Sequence, residues 1–312
     1  MKFKNSKKLS GDASFRSFYR NKKNKSIVVF CKKDKFKNLI VYDAINKLLD
    51  RNKIKTPHLL KENYKNNYIE ISDLGNISGL KKDNKFQINN YLSLFNILIR
   101  FRKIRQTKIK TILNNIYTIP KYTNNLIINE TQLFSKWYIP QVIKYQPDQV
   151  SKKFNVIIKN LINNLKLKEK VFVHRDFHIS NTMYYKKHFF IIDSQDAVYG
   201  NQTYDLASLI DDVRIKTSLK NREKLFKKYL LKLKNISKSK FRNDFEILSV
   251  LRNFKIIGIF TRLSKRDKKH AYLKMIPYAW QLIDDRRNSN LQFKELNLFL
   301  EKYFPKKIRI QK

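Results

Sequence analysis

The 312-residue sequence predicts an α+β protein: a small N-terminal antiparallel β unit with one helix, then a larger, mainly helical unit holding a β-hairpin insert. Three observations predict it. Residues 9–42 alternate strand-like runs with Asn/Lys turns. Beyond Gly75 apolar residues recur at helical spacing over long stretches. One segment, Val171–Ala197, interrupts the helices with two apolar runs around a polar loop.

The elements follow in order. "SFRSFYR" alternates and "SIVVFC" is a short apolar run, so both read as strands. "FKNLIVYDAINKLLDRN" has helical periodicity and is broken at Pro57, within "KIKTPHLL". "NYIEISDLGN" reads as a strand ending at Gly75. Next come helices over "KFQINNYLSLFNILIRFRKI", "ETQLFSKWYI" and "FNVIIKNLINNLKL". From "TYDLASLIDDVRI" to "LQFKELNLFLEKYF" nearly everything reads helical. A small β lobe joined to a large α lobe forms a cleft, and clefts bind ligands.

Composition narrows the class. Hydrophobic content of 42% excludes a disordered chain. The single cysteine, Cys31, excludes an internal disulfide framework. The basic start lacks an apolar signal segment, and no run of about eighteen apolar residues exists, so no membrane span and a cytoplasmic location are expected. The net charge of +43 has two readings. Lys and Arg bind nucleic-acid phosphates by releasing counterions. Alternatively, an AT-rich coding sequence favours Lys, Asn and Ile over Gly and Ala. The charge is spread along the chain, so compositional drift is favoured and no nucleic-acid partner is expected.

The chemistry sits in "VFVHRDFHISNTMYYKKHFFIIDSQDA". "VFV" should be a buried strand and "HRDFHISN" the loop leaving it. "NTMYY" and "HFFIID" pair as a hairpin around Lys186 and Lys187, although that turn lacks Gly or Asn. The hairpin would bring Asp176, Asn181 and Asp193 to one end. Two carboxylates and an amide oxygen are hard ligands suited to Mg²⁺, which shares its remaining sites with water and phosphate. A zinc site from His174 and His178 is the rival, but a strand before the loop and the lack of cysteines disfavour it.

His174-Arg175-Asp176, Asn181 five residues on and Asp193 after the hairpin resemble the catalytic and metal loops of the protein-kinase-like superfamily. The third loop, Asp193-Ser194-Gln195, is closer to aminoglycoside phosphotransferases and choline kinases than to protein kinases. The ordered set "GDASFRSFYR", "ETQLFSKWYI", "VHRDFHISN", "IDSQDAVYG", "TYDLASL" and "IIGIFTRLSKRDKKHAYLKMIPYAW" resembles the bacterial N-acetylmuramate/N-acetylglucosamine anomeric kinases, from Gly11 to Trp280.

That resemblance implies a bilobal protein-kinase-like fold, with residues 1–75 as the nucleotide lobe and 76–312 as the catalytic and substrate lobe. It implies transfer of the ATP γ-phosphate to a sugar hydroxyl, with ATP and Mg²⁺ as cofactors. Asp176 becomes the catalytic base, and Asn181 and Asp193 the metal ligands. Gly11, Asp12, Ala13, Ser14 and Phe15 form the turn over the ATP phosphates. Lys32, just past the "SIVVFC" strand, is the candidate phosphate-positioning lysine, with Asp43 as its acid. The backbone of Ser72, Asp73 and Leu74 is the adenine-binding hinge. Asp196, Glu130, Trp137 and Arg175 are expected at the sugar. A monomer is expected. Kinases for aminoglycosides or choline are the alternative, as is a pseudokinase or RNA-binding module; an amine-rich acceptor would want an acidic pocket that this chain has few acids to build.

Overall fold

The structure, a computed structural model, describes residues 6–9, 15–21, 23–79, 88–288 and 290–310. The chain packs as two compact units. One comprises residues 1–120 and 171–199; the other comprises 121–170 and 200–312.

The first unit is built on a five-stranded antiparallel sheet in the order β1-β2-β3-β5-β4. Its strands are β1 (Ser6–Lys8), β2 (Ser17–Asn21), β3 (Ser26–Phe30), β4 (Leu59–Asn63) and β5 (Tyr68–Ser72). The run "SIVVF" becomes the central strand. Ser26 to Val29 are all buried, which explains a continuous apolar run where an edge strand would alternate. Helix α1 (Tyr42–Arg51) follows β3. It starts later than its periodicity suggests, because Phe36–Val41 forms a wider π-type turn first. Leu39, Ile40 and Tyr42 pack with Ile27, Val29, Ile69 and Ile71 into one core. Burial of each such side chain contributes about 1.5–3 kcal/mol.

The same unit contains helix α2 (Ile88–Phe101), a short hairpin of β6 (Lys108–Lys110) and β7 (Ile116–Thr118), and strand β8 (Lys170–Val173). The expected hairpin is present as β9 (Thr182–Tyr185) and β10 (His188–Ile191), paired from His188↔Tyr185 to Ile191↔Thr182. Its two-residue turn places Lys186 (φ 46°) and Lys187 (φ 62°) in the left-handed region. Two positive φ values match the twist of the flanking strands, so the strands impose the turn on unfavourable residues.

The second unit is mainly helical. The helix Lys238–Asp267 runs through it with buried residues on every side, among them Phe245, Leu248, Leu251, Phe254 and Ile257. That all-round burial explains why it shows no apolar stripe. Phe134 packs against Phe254 (ring centroids 4.8 Å apart), Trp280 (5.6 Å) and Phe304 (5.5 Å). A buried ionic cluster lies in the same unit. Asp211 accepts from Arg222 Nη1 (3.0 Å), Arg286 Nε and Nη2 (both 2.9 Å) and Ser249 Oγ (2.5 Å).

Candidate active site

The loop after β8 is shaped by one carbonyl. Asp176 O accepts from the backbone N–H of His178 (2.9 Å) and from Asn181 Nδ2 (3.0 Å). Arg175 takes a left-handed φ of 77°, so the turn into Asp176 is tight. With its amide nitrogen on Asp176 O, the Asn181 side chain has its oxygen left for a ligand. Asn181 O accepts from Ile192 N–H (3.1 Å), one step past the last hairpin pair, Thr182↔Ile191. The hairpin therefore sets Asn181 across from the residue before Asp193. Gly79 packs against this loop so closely that a Cβ there would overlap Thr182 Oγ1 and Ile179 O.

His174 is fully buried and makes a second tie. Its Nε2 lies 3.1 Å from Ile192 O, and the ring stacks on Phe101. Burial pushes its pKa below the ordinary value, outweighing Asp176 nearby. The ring is thus neutral, and the Nε2–H tautomer donates to Ile192 O.

Asp193 stands at a left-handed φ of 67°. Its Oδ1 accepts from Arg16 Nη2 and from Gln195 Nε2 (3.2 Å). Among the described residues no hydrogen bond reaches Oδ2. Arg16 also donates from Nη1 to Gln195 Oε1 (2.9 Å). Its guanidinium lies over the rings of Tyr42 (5.3 Å) and Phe18 (5.6 Å). Burial pulls the Arg16 pKa down, with Tyr42 and Asp196 acting in the opposite direction. Ser194 Oγ donates to Asn46 Oδ1 on α1 (2.7 Å).

Asp196 is committed to protein partners. Lys37 Nζ approaches Oδ1 at 2.5 Å, Gln195 Nε2 donates to Oδ2 at 3.0 Å, and Arg175 Nη1 lies 3.8 Å from Oδ1. Burial by itself would raise its pKa, but Lys37, Arg175 and Gln195 reverse this and hold it below the usual carboxylate value. Mg²⁺ fits this donor set. Asn181 Oδ1 and Asp193 Oδ2 are two hard oxygens, and Mg²⁺ takes few protein ligands when phosphates and water supply the rest. Among the described residues no group of three His, Cys, Asp or Glu side chains is placed to hold a metal; an Asn–Asp pair is not of that kind.

The other expected residues are placed as follows. Gly11 to Ser14 lie outside the described residues, and Phe15 is exposed beneath Lys33 Nζ (4.5 Å from the ring). Lys32 is exposed. Asp43 is buried and paired with Lys47 (2.7 Å), not with a lysine of β3. At the hinge, the N–H groups of Ser72 and Asp73 are taken by His58 O (2.9 Å) and Lys25 O (3.3 Å). The Asp73 carboxylate holds Arg20 (2.6 Å) and Gly75 N–H (2.8 Å). Among the described residues the backbone of Leu74 is not engaged, and Gly75 turns the chain at φ 78°. Glu130 and Trp137 lie in the second compact unit. Glu130 accepts from Tyr122 Oη (2.5 Å) and Lys255 Nζ (2.9 Å), and Trp137 is half-buried. Arg16, Lys37 and Gln195 were not anticipated. Arg16 had only its place in an alternating run as a signal.

Residues 128–254 match the phosphotransferase enzyme family, APH. The chain carries a phosphotransferase-family domain. Among curated proteins, this phosphotransferase is 25% identical over 285 residues to an N-acetylmuramate/N-acetylglucosamine kinase of Pseudomonas putida, covering 88% of the chain and 81% of the relative. The protein of the same name from Neisseria meningitidis is 26% identical over 283 residues, covering 86% and 81%. Among solved structures, a choline/ethanolamine kinase family protein from Mesorhizobium loti superposes with a TM-score of 0.60 at 9% identity, covering 95% of this chain and 92% of that one. An ADP-bound aminoglycoside phosphotransferase superposes with a TM-score of 0.58 at 13% identity, covering 91% and 94%. The expected fold class and enzyme class, an ATP-dependent small-molecule kinase, stand. No helix among the described residues is long and apolar enough to cross a membrane.

Proposed function

We propose that this phosphotransferase moves the γ-phosphate of ATP to a sugar hydroxyl, with C1 of N-acetylmuramate or N-acetylglucosamine as the acceptor its relatives point to. The observation that carries the reading is the joined loop: Asp176 O binds the Asn181 amide, and Asn181 O binds Ile192 N–H beside Asp193. This tie supports reading Asp176 as the acceptor-side carboxylate and Asn181 and Asp193 as the metal ligands.

Phosphoryl transfer asks a protein mainly for positioning and charge stabilisation. Asp176 orients the attacking hydroxyl and takes its proton. Asn181 Oδ1 and Asp193 Oδ2 would hold Mg²⁺, which neutralises phosphate charge when bound. Residues 1–75 hold the nucleotide, with Gly11–Phe15 over its phosphates and Leu74 offering its free backbone to the adenine edge. Residues 76–312 supply the catalytic loop and the acceptor side. There Trp137 gives an aromatic face for the pyranose, and Glu130 sits in the network with Tyr122 and Lys255. Arg175 and Asp196, joined to each other, border the acceptor. The enzyme acts as a cytoplasmic monomer, without a nucleic-acid partner.

The test is direct. Purified protein is incubated with ATP, Mg²⁺ and a panel of sugars, aminoglycosides and choline, and sugar 1-phosphate is sought. Phosphorylation of an amine-bearing acceptor alone would replace the sugar assignment. Nucleotide binding without turnover on any acceptor would indicate a pseudokinase. Asp176→Ala is expected to lower transfer by about 10²–10⁴-fold while nucleotide affinity is retained; undiminished transfer removes Asp176 as the base.

A further inference from the structure

We infer that Arg16, the residue just before β2, supplies the phosphate-binding cation that a kinase usually carries as a lysine on β3. This rests on the nucleotide reading above and adds a residue to it. β3 has no lysine: it reads Ser26-Ile27-Val28-Val29-Phe30, followed by buried Cys31. Lys32 and Lys33 beyond it are exposed. The acid on α1 that would pair with a β3 lysine, Asp43, is bound to Lys47 instead. The lysine–acid pair is therefore missing between β3 and α1.

The register shows where the charge has gone. Ser17 pairs with Phe30, so Arg16 and Cys31 are the next neighbours along the two strands. Arg16 also follows directly on the Gly11–Phe15 segment assigned to the ATP phosphates. A cation at this place is buried only because it is gripped. Asp193 Oδ1 and Gln195 Oε1 take its two terminal nitrogens, while Tyr42 and Phe18 flank its plane. A guanidinium presents five N–H groups in one planar fork, so one group can serve a carboxylate and a phosphate together. Oδ1 of Asp193 is spent on this anchor and Oδ2 is left for the metal. Arg16 thus binds the proposed metal ligand directly and, in sequence, comes just after the segment assigned to the phosphates. Lys37 is no rival, since it is half-exposed and paired with Asp196.

The experiment measures ADP and adenosine affinity by calorimetry in EDTA, for wild type, Arg16→Ala, Arg16→Gln and Arg16→Lys. Without metal, the preference for ADP over adenosine reports protein–phosphate contacts alone. Arg16→Ala and Arg16→Gln are expected to lose about tenfold or more of that preference, at the level of one charge-assisted hydrogen bond. Adenosine affinity should stay constant, and Arg16→Lys should recover part of the preference. Arg16→Gln keeps length and polarity, so it serves if the alanine variant does not fold. Full retention of the ADP preference in Arg16→Gln overturns the assignment. Parallel loss of adenosine and ADP binding marks a structural role and overturns it too. Wild-type protein that binds ADP no better than adenosine overturns the kinase reading itself, and the role of Arg16 with it.

Discussion

Asp211→Asn is expected to be among the most destabilising single changes outside the active site, with a pH signature of its own. The Asp211 carboxylate is fully buried. Burial alone would raise its pKa, but Arg286 and Arg222 hold it down to about 2, from an ordinary 3.8. At roughly 1.4 kcal/mol per unit, that difference is worth about 2.5 kcal/mol at neutral pH. Removing the charge also leaves Arg222 and Arg286 buried with less compensation, and breaking one side of a buried pair costs about 3–5 kcal/mol. The expected loss is therefore about 3 kcal/mol or more. The sign follows from the depressed pKa. The contribution is complete above the unfolded value near 3.8 and is lost as pH falls through the folded value near 2. Urea titrations of wild type and variant at pH 7, 5, 4 and 3 should show a constant gap that begins to narrow only below about pH 4. Added salt should change it little, since a buried pair is weakly screened. A gap under about 1 kcal/mol at pH 7, or one that closes between pH 7 and 5, would refute the reasoning.

His174 carries the opposite proton balance in the first unit. Its folded pKa lies below 6.5, so the unfolded chain binds the proton first and stability falls as pH drops below about 6.5. His174→Gln should flatten that slope in denaturation measured from pH 7 to 5; an unchanged slope assigns it to other groups. At the hairpin, Lys186→Asn with Lys187→Gly replaces two strained left-handed residues by ones that tolerate positive φ. A gain of about 1–2 kcal/mol is expected. A melting temperature that fails to rise would mean the flanking strands do not impose this turn.

Periodicity and residue chemistry made much of this molecule legible before any coordinates. "SIVVF" read as a strand because its apolar run has no helical spacing, and it is the buried centre of the sheet. The hairpin was readable from two apolar runs even though Lys186 and Lys187 are poor turn formers. Pairing supplied what turn chemistry withheld. The partners of the polar residues were not readable. Arg16 lies 177 positions from Asp193, and only the register of β2 on β3 sets it beside Cys31 and within reach of that carboxylate. Lys32 looked a candidate because it is near β3 in sequence, but a strand that ends at Phe30 releases it to solvent. Side-chain pairing across elements is a property of packing, and sequence spacing carries no record of it.

The same pairing bears on the acceptor. With 25 acids against 68 Lys and Arg, each carboxylate in a site is conspicuous, and several near the proposed site already hold cations. Asp193 is held by Arg16, Asp196 by Lys37 and Arg175, and Asp73 by Arg20. A polyamine acceptor would have to displace such cations and leave them unpaired, at a cost that grows with burial. A neutral or acidic sugar has no such requirement. It needs hydroxyl partners, one base and an aromatic face, and the surrounding positive potential favours an anionic group on it. On the proposed reading, these pairings disfavour a polycationic acceptor more than a neutral or anionic sugar.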